Sequence, residues 1–173
     1  MSSMLTHITL KKTYFYNFYP VRAEEETAAP TGFRYHRMLV EIRDVRAPPV
    51  LDPRQPWQIK KTLTHQEVTC GKVVIPFNDT FEYILRYWNF CMSNHIAILG
   101  HRVAVVVWDV TNERQPRKYE GNDIYFQITP SENYVLTCTA LMRDRKLKVD
   151  DYIGLYWDPR QSFFRIKLFY SNI

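Results

Sequence analysis

Glycine is nearly missing from this chain, with five residues in 173. No glycine-rich loop is left to cradle phosphates, which removes the common nucleotide-hydrolysing and dinucleotide-binding motifs from consideration. Cysteine is scarcer still. Cys70, Cys91 and Cys138 form no CxxC pair, cannot all pair with one another, and have no Cys/His partner at zinc-finger spacing. The start, MSSMLTHITLKK, lacks the basic-then-apolar pattern of a secretory leader, so a reducing interior is the expected setting. No apolar run approaches the roughly 20 residues needed to cross a bilayer. The longest, His95 to Val110, is broken by Gly100, His101, Arg102 and Asp109. Neither sign of charge dominates: 23 Lys and Arg against 18 Asp and Glu leave +5, which suits an anionic partner without demanding one. The expectation is a chain with no membrane span, no metal, no cofactor and no small-molecule substrate.

Aromatic residues are abundant instead, with 12 Tyr, 10 Phe and 4 Trp. They favour a well-filled, β-rich core over disorder, and the length suits one domain with an appendage. Residues 1–56 read as that appendage and 57–173 as the domain. Tyr14, Phe15, Tyr16, Phe18 and Tyr19 cluster beside Lys11 and Lys12. Such a group can stack on bases or bind a partner, but five exposed rings invite aggregation, so packing back as a strand or arm is the better reading. Glu24 to Pro30 reads as a solvated linker and Arg34 to Val45 as strand-like. Ala47 to Pro56, with four prolines, reads as an extended connector.

Within the domain, Asp79 to about Phe90 shows apolar residues at helical spacing (Phe81, Ile84, Leu85, Trp88), which predicts an amphipathic helix. His101 to Val110, Lys118 to Thr129, Tyr134 to Thr139, Tyr152 to Trp157 and Phe163 to Tyr170 read as strands. Ala140 to Lys148 reads as a second short helix. About seven strands and two short helices predict a mainly β, seven-stranded open barrel, which would protect the edges such a set exposes.

The most informative stretch is Thr62 to Pro76, TLTHQEVTCGKVVIP. A strand-like run leads into a polar connection, and Gly71 permits a backbone that a side chain forbids. A β-branched run then closes at Pro76. A solvated hairpin loop explains this composition; so does a loop whose short polar groups and one lysine bond phosphates and base edges. The residue order adds to that choice. Leu63, Thr64, Val68, Gly71, Lys72, Val73, Val74, Ile75 and Pro76 spell LT-x-x-x-V-x-x-G-[KR]-[LV]-V-I-P, followed by a helical pattern. This resembles the plant-type B3 DNA-binding domain of auxin-response, abscisic-acid-response and reproductive-meristem transcription factors. TPSENYVLTC (Thr129 to Cys138) and LKVDDYIGLYW (Leu147 to Trp157) extend the likeness, which covers roughly Trp57 to Tyr170.

The resemblance implies an open pseudobarrel with two arms that enter the major groove of double-stranded DNA. Carried over, the first arm is about Thr64 to Lys72 and the second about Ile128 to Asn133. The candidate contacts are Lys61, Thr64, His65, Gln66, Thr69, Gly71 and Lys72 in the first, and Thr129, Ser131 and Asn133 in the second. Lys72 beside Gly71 can meet a phosphate or a guanine edge, and Asn133 can pair with adenine. Lys60 and Lys61 flank the first arm, but alternation turns only one of them towards it. The plain alternative for each is a solvated loop residue.

Four departures from the family pattern weigh against strong binding. Phe77 stands where a basic residue follows Ile-Pro, Glu132 lies in the second arm, Thr139-Ala140 replaces Gly-Trp, and Asp150 replaces a glycine. From Trp57 on there are 15 Lys and Arg against 12 Asp and Glu. Three readings therefore stand: a nuclear transcription factor, the same fold turned into a protein-interaction module, or single-stranded nucleic-acid binding on barrel aromatics. The N-terminal extension is the candidate surface for a protein partner or a homodimer. An enzyme is not expected, since Cys70 and His65 share a loop with no orienting acid beyond Glu67.

Overall fold

A computed structural model describes residues 51–171, the backbone of two strands, β1 (Lys11–Tyr16) and β2 (Met38–Arg43), and residues 27 and 30. β1 and β2 pair antiparallel, with Thr13 opposite Glu41 and Tyr16 opposite Met38. The predicted linker (Glu24 to Pro30) and two of the clustered rings, Phe18 and Tyr19, fall largely outside these residues.

From Ile59 onward there are nine described strands: β3 (Ile59–Thr62), β4 (Lys72–Ile75), β5 (Val103–Ala104), β6 (Val107–Asp109), β7 (Arg117–Tyr119), β8 (Ile124–Ile128), β9 (Tyr134–Cys138), β10 (Tyr152–Asp158) and β11 (Phe163–Tyr170). They form a five-stranded sheet, order β3-β10-β11-β6-β7, and a four-stranded sheet, order β4-β9-β8-β5. The mainly β class is as expected, and neither sheet closes on itself. The count exceeds seven because two predicted strands are each two. His101 to Val110 breaks between β5 and β6, and Lys118 to Thr129 breaks at the Gly121 turn, where φ is +118°. β11 pairs parallel with β6; its other partner, β10, runs antiparallel.

Four short helices are described rather than two: α1 (His65–Cys70), α2 (Phe77–Tyr83), α3 (Phe90–Ala97) and α4 (Thr139–Arg145). The predicted helix from Asp79 to Phe90 ends at Tyr83, passes through a 3-10 turn (Leu85–Tyr87), and is followed by α3. Asn89 caps α3 by accepting from the Met92 N–H at 2.8 Å, a start signal that divides the run.

The chain forms two compact units. One holds β1, β2, Ile75–Arg102 and Gln127–Tyr134; the other holds Val50–Val74, Val103–Phe126 and the chain from Val135. In the first unit Phe81 meets Tyr134 edge-on, at 6.4 Å between centroids, amid buried Ile84, Leu85 and Ile96. The second unit is built on buried rings and branched chains. Phe164 packs edge-on against Phe126 at 5.4 Å and Trp157 at 5.0 Å, with Ile153, Leu155 and Ile166 around them. Burying such side chains stabilises by about 1.5–3 kcal/mol each, which fixes the strands from which the first arm projects. Among the described residues no helix is long and apolar enough to cross a membrane.

Candidate nucleic-acid interface

The first arm is a helix, where the sequence suggests a loop. Thr64 is the cap: its side chain accepts from the Glu67 N–H at 3.3 Å, while Glu67 Oε2 accepts from the Thr64 N–H at 2.9 Å. This is a reciprocal capping box, spelled T-x-x-E in the sequence. Glu67 is buried, and its Oε1 accepts from the Val74 N–H at 2.7 Å and from the Lys61 ammonium. Lys61 also donates to the Val74 carbonyl at 2.8 Å. One carboxylate thus joins β3, α1 and β4. Burial alone would push its pKa up; the Lys61 bond and the Thr64 and Val74 N–H groups outweigh that and hold it below the ordinary 4.5.

That network gives Lys61 a structural use: two of its three ammonium donors hold the base of the arm. Lys60, on the opposite face of β3, is exposed and lies 5.9 Å from the Phe169 ring. Leu63 anchors the base from the other side. Its N–H donates to the Asp151 carbonyl and its carbonyl accepts from the Asp150 N–H, both at 2.9 Å. Asp150 sits at φ +70°, a left-handed position that glycine would take without strain.

Helical spacing turns the buried Glu67 inward, and His65, Gln66 and Thr69 share an exposed face. Thr69 Oγ1 lies 3.5 Å from His65 Nε2. Gly71 ends the helix at φ +66°, ψ +36° and donates its N–H back to the Glu67 and Val68 carbonyls. A Cβ there would lie 2.4 Å from Thr139 Oγ1 and 2.9 Å from Thr139 Cα. Gly71 is therefore a packing and geometry requirement; with no side chain and a buried position, it shapes the arm rather than extending from it. Lys72 follows, half-buried, and among the described residues no carboxylate pairs with it. Cys70 is exposed on the helix, whereas burial pushes the Cys138 thiol up to about 12.

The second arm joins β8 to β9. The Glu132 N–H donates to the Thr129 carbonyl at 3.0 Å, closing a turn with Pro130 at its favoured second position. Glu132 then takes a left-handed conformation, φ +69°, and the Thr129 N–H donates to the Asn133 carbonyl at 2.7 Å. This is a three-residue hairpin connection whose left-handed position ordinarily takes glycine. Thr129 Oγ1 lies 3.0 Å from Ser131 Oγ and donates to the Asn133 carbonyl at 3.0 Å. Ser131 is exposed; Thr129 and Asn133 are half-buried. The three second-arm residues are thus together in one turn, and the first-arm residues are together around α1. Phe77 is accounted for by packing, its ring 4.8 Å from Phe81 at the start of α2.

A mainly β domain of two open sheets, with a short capped helix after its first strand and a polar turn between β8 and β9, is a domain of the B3 kind. The chain belongs to that family: residues 57–169 match the family described as "B3 domain-containing protein At5g26805, C-terminal domain". Among solved structures it is similar to the Arabidopsis FUS3-DNA complex, at 15% identity and a TM-score of 0.45, over 66% of this chain and 98% of that one. No curated protein sequence matches the chain.

Proposed function

We propose that this chain is a nuclear, non-enzymatic reader of double-stranded DNA that regulates transcription, with α1 and Lys72 as its principal contact. The observation that carries this is the way α1 is held. A buried carboxylate and a capping box fix a six-residue helix, so that His65, Gln66 and Thr69 form one exposed face leading to Lys72. Short polar side chains on a rigid support can bond base edges at little entropic cost, and the ammonium supplies a phosphate or guanine contact. Ser131 and Asn133 form the second contact group. Membership of the B3 family supports the same reading.

Fluorescence anisotropy against a random duplex pool at two salt concentrations tests it. Binding should weaken steeply with salt, by about 0.9 log units per decade for each phosphate contact. Lys72→Glu should weaken binding and flatten that slope by about one contact. No binding at low salt, or no effect of the substitution, sinks the proposal. The second reading, a protein-interaction module, is favoured by Glu132 in the second turn and by the slight excess of cations from Trp57 on.

A further inference from the structure

The outer face of the five-stranded sheet carries rings where a solvent-facing sheet is ordinarily polar. Tyr156 on β10 is opposite Arg165 on β11, and Arg165 is beside Trp108 on β6, so the three share a face. Alternation along β11 puts Phe163 and Lys167 on it as well. Trp57 packs edge-on to Tyr156 at 5.0 Å between centroids and walls off one side. The remaining space is a cleft of about 610 Å³, lined by these six residues among others, within the usual range for small-ligand sites. Trp108 and Phe163 are part-exposed in it, their centroids 6.1 Å apart.

Cations outnumber acids around the cleft. Arg54, Arg165 and Lys167 line it against one acid, Glu113, which is already bound to Lys167 at 2.8 Å. The Arg165 guanidinium lies 5.2 Å from the Phe163 centroid and 3.6 Å from Asp158, and its side chain also bonds to Tyr156. Rings beside an excess of cations match a planar group that carries an anion.

We propose that this cleft binds an unpaired nucleotide, its base stacked on Trp108 beside the tilted Phe163 ring and its phosphate held by Arg165 and Lys167. A base inside a duplex does not offer its face, so this site is separate in chemistry from α1 and does not rest on the duplex-reading proposal. The nucleotide can be free or part of a single strand. The same contacts serve both.

Quenching of tryptophan fluorescence in the full chain tests this, with adenosine, adenosine monophosphate, a short single-stranded oligodeoxyadenylate and a blunt duplex as titrants. The monophosphate should quench and adenosine should bind far more weakly. A much tighter oligonucleotide points to a strand as the source, and equal affinity points to the free nucleotide. Trp108→Ala should weaken binding roughly 5- to 150-fold, the range for one lost base stack. Lys167→Glu, at a part-exposed position that is ion-paired to Glu113, should weaken the monophosphate and leave adenosine unmoved. Circular dichroism checks that both variants are folded, and duplex binding through Lys72 should be unchanged in either. No quenching at low salt, equal affinity for adenosine and its monophosphate, or an unaffected Lys167→Glu variant would overturn the proposal. Preferential seating of a proline-rich peptide would do so too.

Discussion

The two polar connections proposed for DNA contact are held in opposite ways. α1 is fixed from beneath: Glu67 is buried, and its two oxygens take bonds from Lys61, Thr64 and Val74. The β8–β9 turn is fixed by its own backbone and by Thr129 Oγ1, and it keeps Glu132 in a conformation that L-residues disfavour. A surface ordered during folding meets its ligand without a further entropy cost. Under the duplex-reading proposal, base reading therefore falls first to α1.

Gly71→Ala is the hardest test of the first half of that contrast. The left-handed backbone costs an alanine about 1–2 kcal/mol, and the approach to the Thr139 backbone adds about 1–3 kcal/mol of overpacking. A loss near 3 kcal/mol is expected, read as a lower urea midpoint at unchanged slope. A loss under about 1 kcal/mol would mean that α4 shifts aside and that the arm is not rigidly seated.

Glu67→Gln comes next. It keeps the shape of the cap but leaves the Lys61 ammonium without its anion. Breaking a fully buried pair costs about 3–5 kcal/mol; Lys61 is 22% exposed, so about 2 kcal/mol is the expectation. The acid limb supplies a second reading. Because the folded Glu67 pKa lies below its ordinary 4.5, its contribution is present above that value and disappears as pH falls through the folded pKa. Unfolding followed from pH 7 to pH 3 should show a steeper acid loss in the parent chain than in Glu67→Gln. Parallel curves would contradict the account of Glu67 as the charged fastener of the arm.

Strands with strong local signals were legible in the sequence: YVLTC, YIGLYW and FFRIKLFY each form the strand their β-branched and aromatic content suggests. The helix α1 is not legible from hydrophobicity, because its six residues are too few for apolar periodicity to declare itself. Its evidence lay in Thr64 and Glu67 as a capping pair, a signal of spacing rather than of hydrophobicity. Lys61 shows the limit from the other side. Alternation says only that one of Lys60 and Lys61 turns towards the arm; Lys61 is the expected contact, and its buried partner, distant by six positions, assigns it to the interior of the arm instead. The cleft on the outer sheet face was illegible for a related reason. Its rings come from the connector before β3 and from β6, β10 and β11, and the parallel pairing of β6 with β11 is a tertiary fact.

The smallest effect expected belongs to the second arm. Glu132 occupies a left-handed position at φ +69°, where an L-residue gives up about 1–2 kcal/mol. Glycine removes that cost but brings about 0.5–1 kcal/mol of unfolded-state entropy, and the contacts of the half-buried side chain are lost as well. Glu132→Gly should therefore stabilise by only a few tenths of a kcal/mol, to about 1 at most. Glu132→Asn separates the terms, since asparagine tolerates the left-handed region while keeping a polar side chain. Both variants remove one negative charge from the candidate contact surface, so both should tighten duplex binding most clearly at low salt. If stability rises while binding stays put, the turn is strained but stands away from the DNA, and duplex reading falls to α1 alone.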